Sequence, residues 1–421
     1  MRQDAKVISS TFPNTPKSSV QSLRLAYMTA IYPRATDTFI QREVAALRAH
    51  GVFIQTFSVR QPAAKEIVGP EQQAERQSTI YLLPPSPIEL LRSQFSLFFG
   101  SPRRYLKALW CALTVRGGGI SPLLHSLIYF AEGGLIAWHM RRQNIAHLHA
   151  HFSTHEGTVA MLAAELGGRS FSMTIHGPAE FFDPIVSRMG EKVRRAKFIA
   201  CISQFCRSQV MVFADQDDWQ KLRIIHCGVD PSLFKPTDHH DQGSRLLFVG
   251  RLAAVKGLPM LLEAVAQLKK RRPDIILTVA GDGPDRQRLT TQAEDLGLSQ
   301  NVNFLGYQSQ QQVRELLGQT DVFVMASFAE GVPVVLMEAM AASVPVVATR
   351  VAGVAELVEE GVSGYLVPPS DAPSIANAVE RLLGDGQLRA KMGAAGREKV
   401  EREFNIATES KKLFHVLNDT C

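Results

Sequence analysis

Two cations and two carboxylates in the second half of the chain have spacings suited to phosphate and sugar chemistry. In "FVGRLAAVKG" an apolar run ends at Gly250, Arg251 follows, and Lys256 stands five residues later, before Gly257. A glycine-bordered loop with two cations at a strand terminus suits a diphosphate. Arg can grip two oxygens at once, and Lys acts as a point charge. The arrangement is not a Walker loop, because GxxxxGK[ST] is absent. In "SFAEGVPVVLMEAM", Glu330 falls in a loop and Glu338 lies eight residues on, within a helix expected to open near Pro333. The free amides of Gly331, Val332 and Val334, with the helix dipole, would hold a phosphate. Glu330 would then lie beside a sugar, and Glu338 could accept bonds from vicinal hydroxyls such as those of a ribose. A third loop, "VAGDGP", carries Gly281, Asp282 and Gly283. It is a good turn, and Gly283 is expected to permit close backbone approach to a bound base or phosphate.

The first half offers a different set. "HLHAHFSTHEG" places His147, His149, His151 and His155 within nine positions. A zinc site wants closed geometry with cysteine or carboxylate support, and no cysteine is near in sequence. His147 and His149 are expected to pack or hydrogen-bond along a buried strand. His151 would reach the strand's C-terminal end, and His155 would start the next helix. "TIHG" puts His176 at the end of another strand. Asp215, Asp217 and Asp218 in "FADQDDW" read as a solvated turn.

These loops need strands and helices to position them. From Leu23 onward, strand-like runs alternate with helices of about a dozen residues, which implies βαβ units and a parallel sheet. Gly51 sits where a left-handed residue would close a helix. A polar stretch, "PSLFKPTDHHDQGS", is the expected linker. After it comes a second series, five strands alternating with helices. The fold class is α/β, with two doubly wound domains facing each other across a cleft at the C-terminal strand edges, where such sheets bind ligands. The expected organisation is a disordered leader at 1–21, a first domain at 22–235, a second at 236–402, and a C-terminal helix at 403–421 returning to the first domain.

Residues 86–142 interrupt the rhythm. Phe98, Phe99, Leu106 and Trp110 stand beside Arg103, Arg104 and Lys107. Two readings are open: a pair of core-packed helices, or an amphipathic patch on an anionic membrane. The positions of the cations favour the second more than composition does. Residues 1–235 hold 27 Lys and Arg against 17 Asp and Glu, whereas the remainder holds 19 against 23. Opposite charge in the two halves suggests different partners for each. Five cysteines without paired spacing read as reduced thiols of a cytoplasmic protein. The leader lacks the apolar core of a signal peptide, and no apolar run approaches the roughly 20 residues that span a bilayer.

"GRLAAVKG", "AGDGP", "VNFLGY", "EGVPVVLMEAMA" and "VPVVATRVAGVAELVEEGVSGYLVPPSD" resemble, in order and spacing, the donor domain of the family-four retaining glycosyltransferases. "IYPRATDTFIQREV", "HLHAHFSTHEG" and "TIHGPAEFFDP" are similar to the branch that builds bacterial exopolysaccharides, such as colanic acid and amylovoran. The resemblance covers nearly all of the chain after about residue 22. It implies the GT-B arrangement, a nucleotide-sugar donor such as a UDP- or GDP-sugar, and retention at the anomeric carbon. It assigns the diphosphate to Arg251 and Lys256, the donor sugar to Glu330, the ribose to Glu338, and His176 to the reacting sugar. Gly250, Gly281, Gly283 and Gly331 to Val334 complete the donor side, including Val332 and Pro333. Thr38, Phe39, His151 and Glu180 are the expected acceptor side.

The chain departs from the family at Ala352-Gly353, where two glycines are usual, and at Tyr32-Pro33-Arg34, where a glycine pair is frequent. No metal and no other cofactor are expected. The expected partners are the nucleotide sugar, a saccharide or lipid-linked saccharide acceptor, and an anionic membrane surface on the cytoplasmic side; no nucleic acid is expected. Two other functions compete: a sugar-nucleotide epimerase of the same fold, and a non-catalytic subunit that only binds nucleotide sugar. The intact Arg, Lys and paired Glu set argues against the latter.

Overall fold

The computed structural model describes residues 23–34, 36–114, 120–184, 187–238 and 243–420. The leader expected at 1–21 lies outside them, as do linker residues 239–242.

The first sheet contains β1 (Arg24–Ile31), β2 (Phe53–Arg60), β3 (Ile80–Tyr81), β4 (His147–His151), β5 (Ser170–Ile175), β6 (Ile199–Cys201) and β7 (Leu222–Ile224). Its order is β3-β2-β1-β4-β5-β6-β7, and every pair is parallel. The second contains β8 (Arg245–Val249), β9 (Ile276–Ala280), β10 (Val302–Gly306), β11 (Val322–Met325), β12 (Val346–Thr349) and β13 (Gly364–Val367), ordered β10-β9-β8-β11-β12-β13. That is six strands, one more than expected. In each sheet the order reverses beside the first strand, between β1 and β4 and between β8 and β11. Crevices at such switch points, outside the carboxyl ends of the strands, are where open α/β sheets bind ligands.

All five residues of β4 are buried. Its even members Leu148 and Ala150 enter the main apolar core. Its histidines face the other way, toward Tyr27, Phe198 and the helix Thr38–Ala49. That side is closed by the C-terminal helix Ile406–Thr420. Leu413 and Leu417 join Leu25, Tyr27, Ile40, Val44 and Leu47 in one buried cluster. The helix Leu258–Lys269 shows why the second domain folds as it does. Leu258, Leu261, Leu262, Val265 and Leu268 recur at helical spacing and are all buried. Each leucine contributes roughly 1.5–3 kcal/mol of burial, so Leu262→Asp would unfold this layer. Its N-terminus is set by Gly257 at φ +63°, followed by Pro259 in the first turn.

Between β3 and β4 the chain forms three helices, Pro87–Gly100, Pro102–Thr114 and Ile120–Arg142, rather than the pair expected. No helix among the described residues is long and apolar enough to cross a membrane.

The two domains are joined by specific contacts. The Glu356 carboxylate accepts from the amides of Gln204 at 2.7 Å and Phe205 at 2.8 Å. It thereby caps the helix Gln204–Phe213 of the opposite domain. At Ala352, one of the departures from the family pattern, φ is +42°. A glycine would take that conformation without strain; here an alanine holds it.

Candidate active site

A cavity of about 340 Å³ lies between the two sheets and draws on both. From the second domain come the loop after β8 and the loop after β11. From the first come the start of the helix Thr38–Ala49 and the end of β5.

Most of the expected residues meet here. Gly250, Arg251, Lys256, Gly281, Glu330, Gly331, Val332, Pro333, Val334 and Glu338 line the cavity from one side, and Thr38, Phe39 and His176 from the other. Lys256 Nζ is 2.5 Å from Glu330 Oε1. Arg251 forms no ion pair among the described residues. Val334 opens an eight-residue helix, Val334–Ala341. The amides of Gly331, Val332 and Val334 donate to no protein group among the described residues. They are donors without a protein partner at and just before the positive end of a helix, on residues that line the cavity.

His176 follows β5 and is held from behind. Its Nε2 lies 2.9 Å from His151 Nδ1, and its Nδ1 lies 3.8 Å from Cys227 Sγ. Phe39 and Phe152 pack on its ring at 4.8 and 4.7 Å between centroids. His151 Nε2 is 3.3 Å from Glu43 Oε1, which accepts a 2.9 Å bond from the Tyr27 hydroxyl. Burial, then the neighbouring His151, holds the His176 pKa well below the usual histidine range, and burial pushes His151 down to about 3. Both rings are therefore neutral at pH 7. One must donate to the other, so the tautomer of His176 is coupled to that of His151.

The backbone at His176 is equally constrained. A Cβ on Gly331 would lie 1.9 Å from the His176 carbonyl oxygen. Only glycine lets the loop after β11 touch the histidine loop of the other domain.

Three assignments change. His151 has no exposure and sits one layer behind the cleft, so it supports His176 instead of touching an acceptor. Glu180 is also buried. Its carboxylate accepts from the amides of Ser153 (2.5 Å), His176 (2.6 Å) and Gly177 (3.3 Å). It ties the ends of β4 and β5 together and does not line the cleft. Gly283 stands outside the cavity lining. A Cβ there would lie 2.2 Å from the Leu252 carbonyl oxygen, so its glycine serves internal packing of two loops rather than ligand approach.

Lys192 works with Glu180. It is fully buried and donates to the carbonyls of Ser153 and Thr154, fixing the turn after β4. Burial lowers its pKa to about 7.

The earlier histidines belong to the sheet. His147 bonds Ser170 and Ser172, and His149 bonds Ser172 and Thr174, all at 2.7–2.8 Å. His155 starts the helix His155–Gly167, bonds Glu132 at 2.6 Å and stacks on Tyr129. Glu43, His149 and His151 bring ligand atoms within 4.8 Å of one another. Both ring nitrogens of His149 are bonded to the hydroxyls of Ser172 and Thr174, and Glu43 accepts from the Tyr27 hydroxyl.

Arg42, Glu43, Cys227, Tyr307 and Gln310 were not legible as site residues. Arg42 Nη2 lies 2.5 Å from Glu338 Oε1 and donates to Gln310 Oε1 at 3.1 Å. One signal existed: Arg42 stands one helical turn after Thr38, on the same face of the helix.

Residues 230–399 match the family described as glycosyl transferases group 1. Over 301 residues the chain is 30% identical to the alpha-D-kanosaminyltransferase of Streptomyces kanamyceticus, covering 65% of this chain and 77% of that one. Over 423 residues it is 28% identical to the putative colanic acid biosynthesis glycosyltransferase WcaL of Escherichia coli, covering 94% and 99%. It is 34% identical over 206 residues to the amylovoran biosynthesis glycosyltransferase AmsK of Erwinia amylovora, about half of each chain (47% and 51%). Among solved structures, Anabaena HepE in complex with UDP and glucose superposes with a TM-score of 0.72 at 18% identity, covering 94% of this chain and all of that one. At that identity the likeness speaks to the fold, which is GT-B. The chain belongs to the group 1 glycosyl transferases and is a glycosyltransferase.

Proposed function

We propose that the protein moves a sugar from a nucleoside-diphosphate sugar to a hydroxyl of a saccharide or lipid-linked saccharide, with retention, in exopolysaccharide or cell-surface glycan synthesis. The observation that carries this reading is the facing of two sets across one cleft. Lys256, Arg251 and the unpaired amides of Gly331, Val332 and Val334 stand on one side, and neutral His176 on the other. The names of the E. coli and E. amylovora relatives support the exopolysaccharide setting.

The nucleoside diphosphate leaves with negative charge, and stabilising that charge is the main catalytic need. Lys256, Arg251 and the helix N-terminus supply positive potential from the chain's own atoms, so the reaction is read as metal-independent. Glu330 contacts the donor sugar and Glu338 the ribose. The glycosidic C–O bond to the diphosphate breaks as the acceptor oxygen approaches the same face. The departing phosphate oxygen takes the acceptor's proton, and no covalent glycosyl-enzyme forms. A glycosyl adduct trapped on Glu330 would overturn that mechanism.

The test is a panel of nucleotide sugars scored by thermal stabilisation and then by transfer. A donor at 100 times its Kd adds about 2.7 kcal/mol. Turnover of the donor with no acceptor present would make the protein an epimerase instead.

A further inference from the structure

The three helices between β3 and β4 bury one apolar face each and expose another. On Pro87–Gly100, Ile88, Leu91, Phe95 and Phe99 recur at three- and four-residue intervals and are 59–72% exposed. Leu106 and Trp110 stand one turn apart on Pro102–Thr114, at 56% and 69%. Leu124, Leu127 and Ile128 repeat the pattern on Ile120–Arg142. The inward residues Leu97, Ala108, Cys111 and Ile136 already satisfy the core. A monomeric soluble domain rarely leaves an apolar surface of this extent uncovered.

The charge around this surface has one sign. Positions 87–142 carry seven Lys and Arg against two Asp and Glu. One of the two, Glu132, is buried against His155. Beside the apolar face lies a pocket of about 320 Å³ lined by Arg103, Arg104, Lys107, Arg169 and Arg195, with Glu165 its one carboxylate. Glu165 is shared between Lys107 at 2.6 Å and Arg195 at 3.2 Å. Arg103, Arg104 and Arg169 form no ion pair among the described residues. Arg103, Leu106, Lys107 and Trp110 share one face of their helix. Cations and apolar side chains therefore meet at a single edge.

We infer that this face docks on the surface of an anionic lipid bilayer, with a lipid phosphate seated in the Arg103–Arg104–Arg169 pocket. Trp110, Leu106, Phe95 and Phe99 enter the headgroup–acyl boundary, and the cationic pocket faces the phosphate layer. Aromatic and aliphatic side chains flanked by cations are the composition that this interface takes up. A protein partner would have to be both apolar and strongly acidic over one contiguous patch; an anionic membrane supplies both properties. Docking here would hold the enzyme beside a lipid-linked acceptor. The inference uses the proposed acceptor only for that purpose, and its test needs neither donor nor acceptor.

The test is sedimentation of the full chain with phosphatidylcholine vesicles and with vesicles containing phosphatidylglycerol. Binding is expected to the anionic vesicles alone and to weaken as salt rises. R103A with R104A should weaken it about 30-fold, with an unchanged thermal midpoint. Trp110 emission should shift to the blue on binding, and the shift should vanish in W110F, which keeps the aromatic ring. Equal binding to both vesicle types, no binding, or a stable dimer that hides Trp110 without lipid would each overturn the inference.

Discussion

Arg42 of the first domain and Glu338 of the second form an ion pair at 2.5 Å across the cleft. Both side chains are largely withdrawn from solvent, so the pair is a specific link between the domains rather than a surface contact. It also occupies the carboxylate assigned to the donor's ribose. Under the proposed ribose assignment, donor binding and this bridge would compete for Glu338 Oε1. Glu338→Ala should therefore weaken nucleoside-diphosphate binding about tenfold or more, and Arg42→Ala should tighten it several-fold by freeing the carboxylate. Isothermal titration with UDP and GDP measures both. Tighter binding in Glu338→Ala would contradict the ribose contact.

Lys256 and Glu330 form an ion pair at 2.5 Å in the cleft. In the function proposed above, donor binding would exchange this ion pair for contacts of Lys256 with the diphosphate and of Glu330 with the sugar. Lys256→Ala and Glu330→Ala should each lower kcat/KM at least about 100-fold, equivalent to about 2.7 kcal/mol. Near-wild-type turnover in either variant would remove its assignment.

His151 touches His176 but not the cavity, which makes it a positioning residue. His151→Gln should lower kcat about tenfold while leaving the donor KM within about twofold. His176→Ala should lower kcat further. A His151→Gln variant that raises KM and spares kcat would point to a substrate contact instead.

Buried neutral histidines make the fold sensitive to acid. The folded pKa values of His147 and His151 are pushed down to about 3 by burial, against an unfolded value near 6.5. Between those limits the unfolded chain binds more protons than the folded one. The stability contributed by these two histidines is thus undiminished above pH 6.5 and falls as pH drops from 6.5 toward 3. The slope is up to about 1.4 kcal/mol per pH unit for each such group. Denaturant titrations at pH 7.5, 6 and 5 measure it. Burial raises the pKa of the Glu43, Glu156 and Glu180 carboxyls, which act in the opposite direction, so the histidine contribution is read by comparison with His147→Asn. The same pH slope in that variant and the wild type would contradict the burial of the His147 ring.

Strand ends were legible because their chemistry is local. Arg251, Lys256, Glu330 and Glu338 follow apolar runs and glycines in continuous sequence, and they converge in one cavity. The division of "HLHAHF" into packed and cleft-directed members was legible only in part. Alternation placed His147 and His149 along the sheet, but His151 faces helix Thr38–Ala49, and only Glu43 and His176 beside it show that. Glu180 was read as cleft-facing, whereas its carboxylate turns back onto the local amides of His176 and Gly177 and onto the distant amide of Ser153. Gly283 was read as yielding to a ligand, whereas it yields to Leu252, thirty-one residues earlier. The spacing of Arg42 from Thr38 gave its helix face, but not its partner, which lies in the other domain. For residues 86–142 the sequence left a core-packed pair and an amphipathic patch both open, and it did not give the third helix, Ile120–Arg142.

Transfer with retention is decided at the anomeric carbon. The decisive measurement is proton NMR of the reaction with the stabilising nucleotide sugar and a saccharide acceptor. Release of one nucleoside diphosphate per glycosylated acceptor, with the donor's anomeric configuration kept in the product, is expected. Inverted configuration would contradict retention, and conversion of the nucleotide sugar without an acceptor would contradict transfer itself.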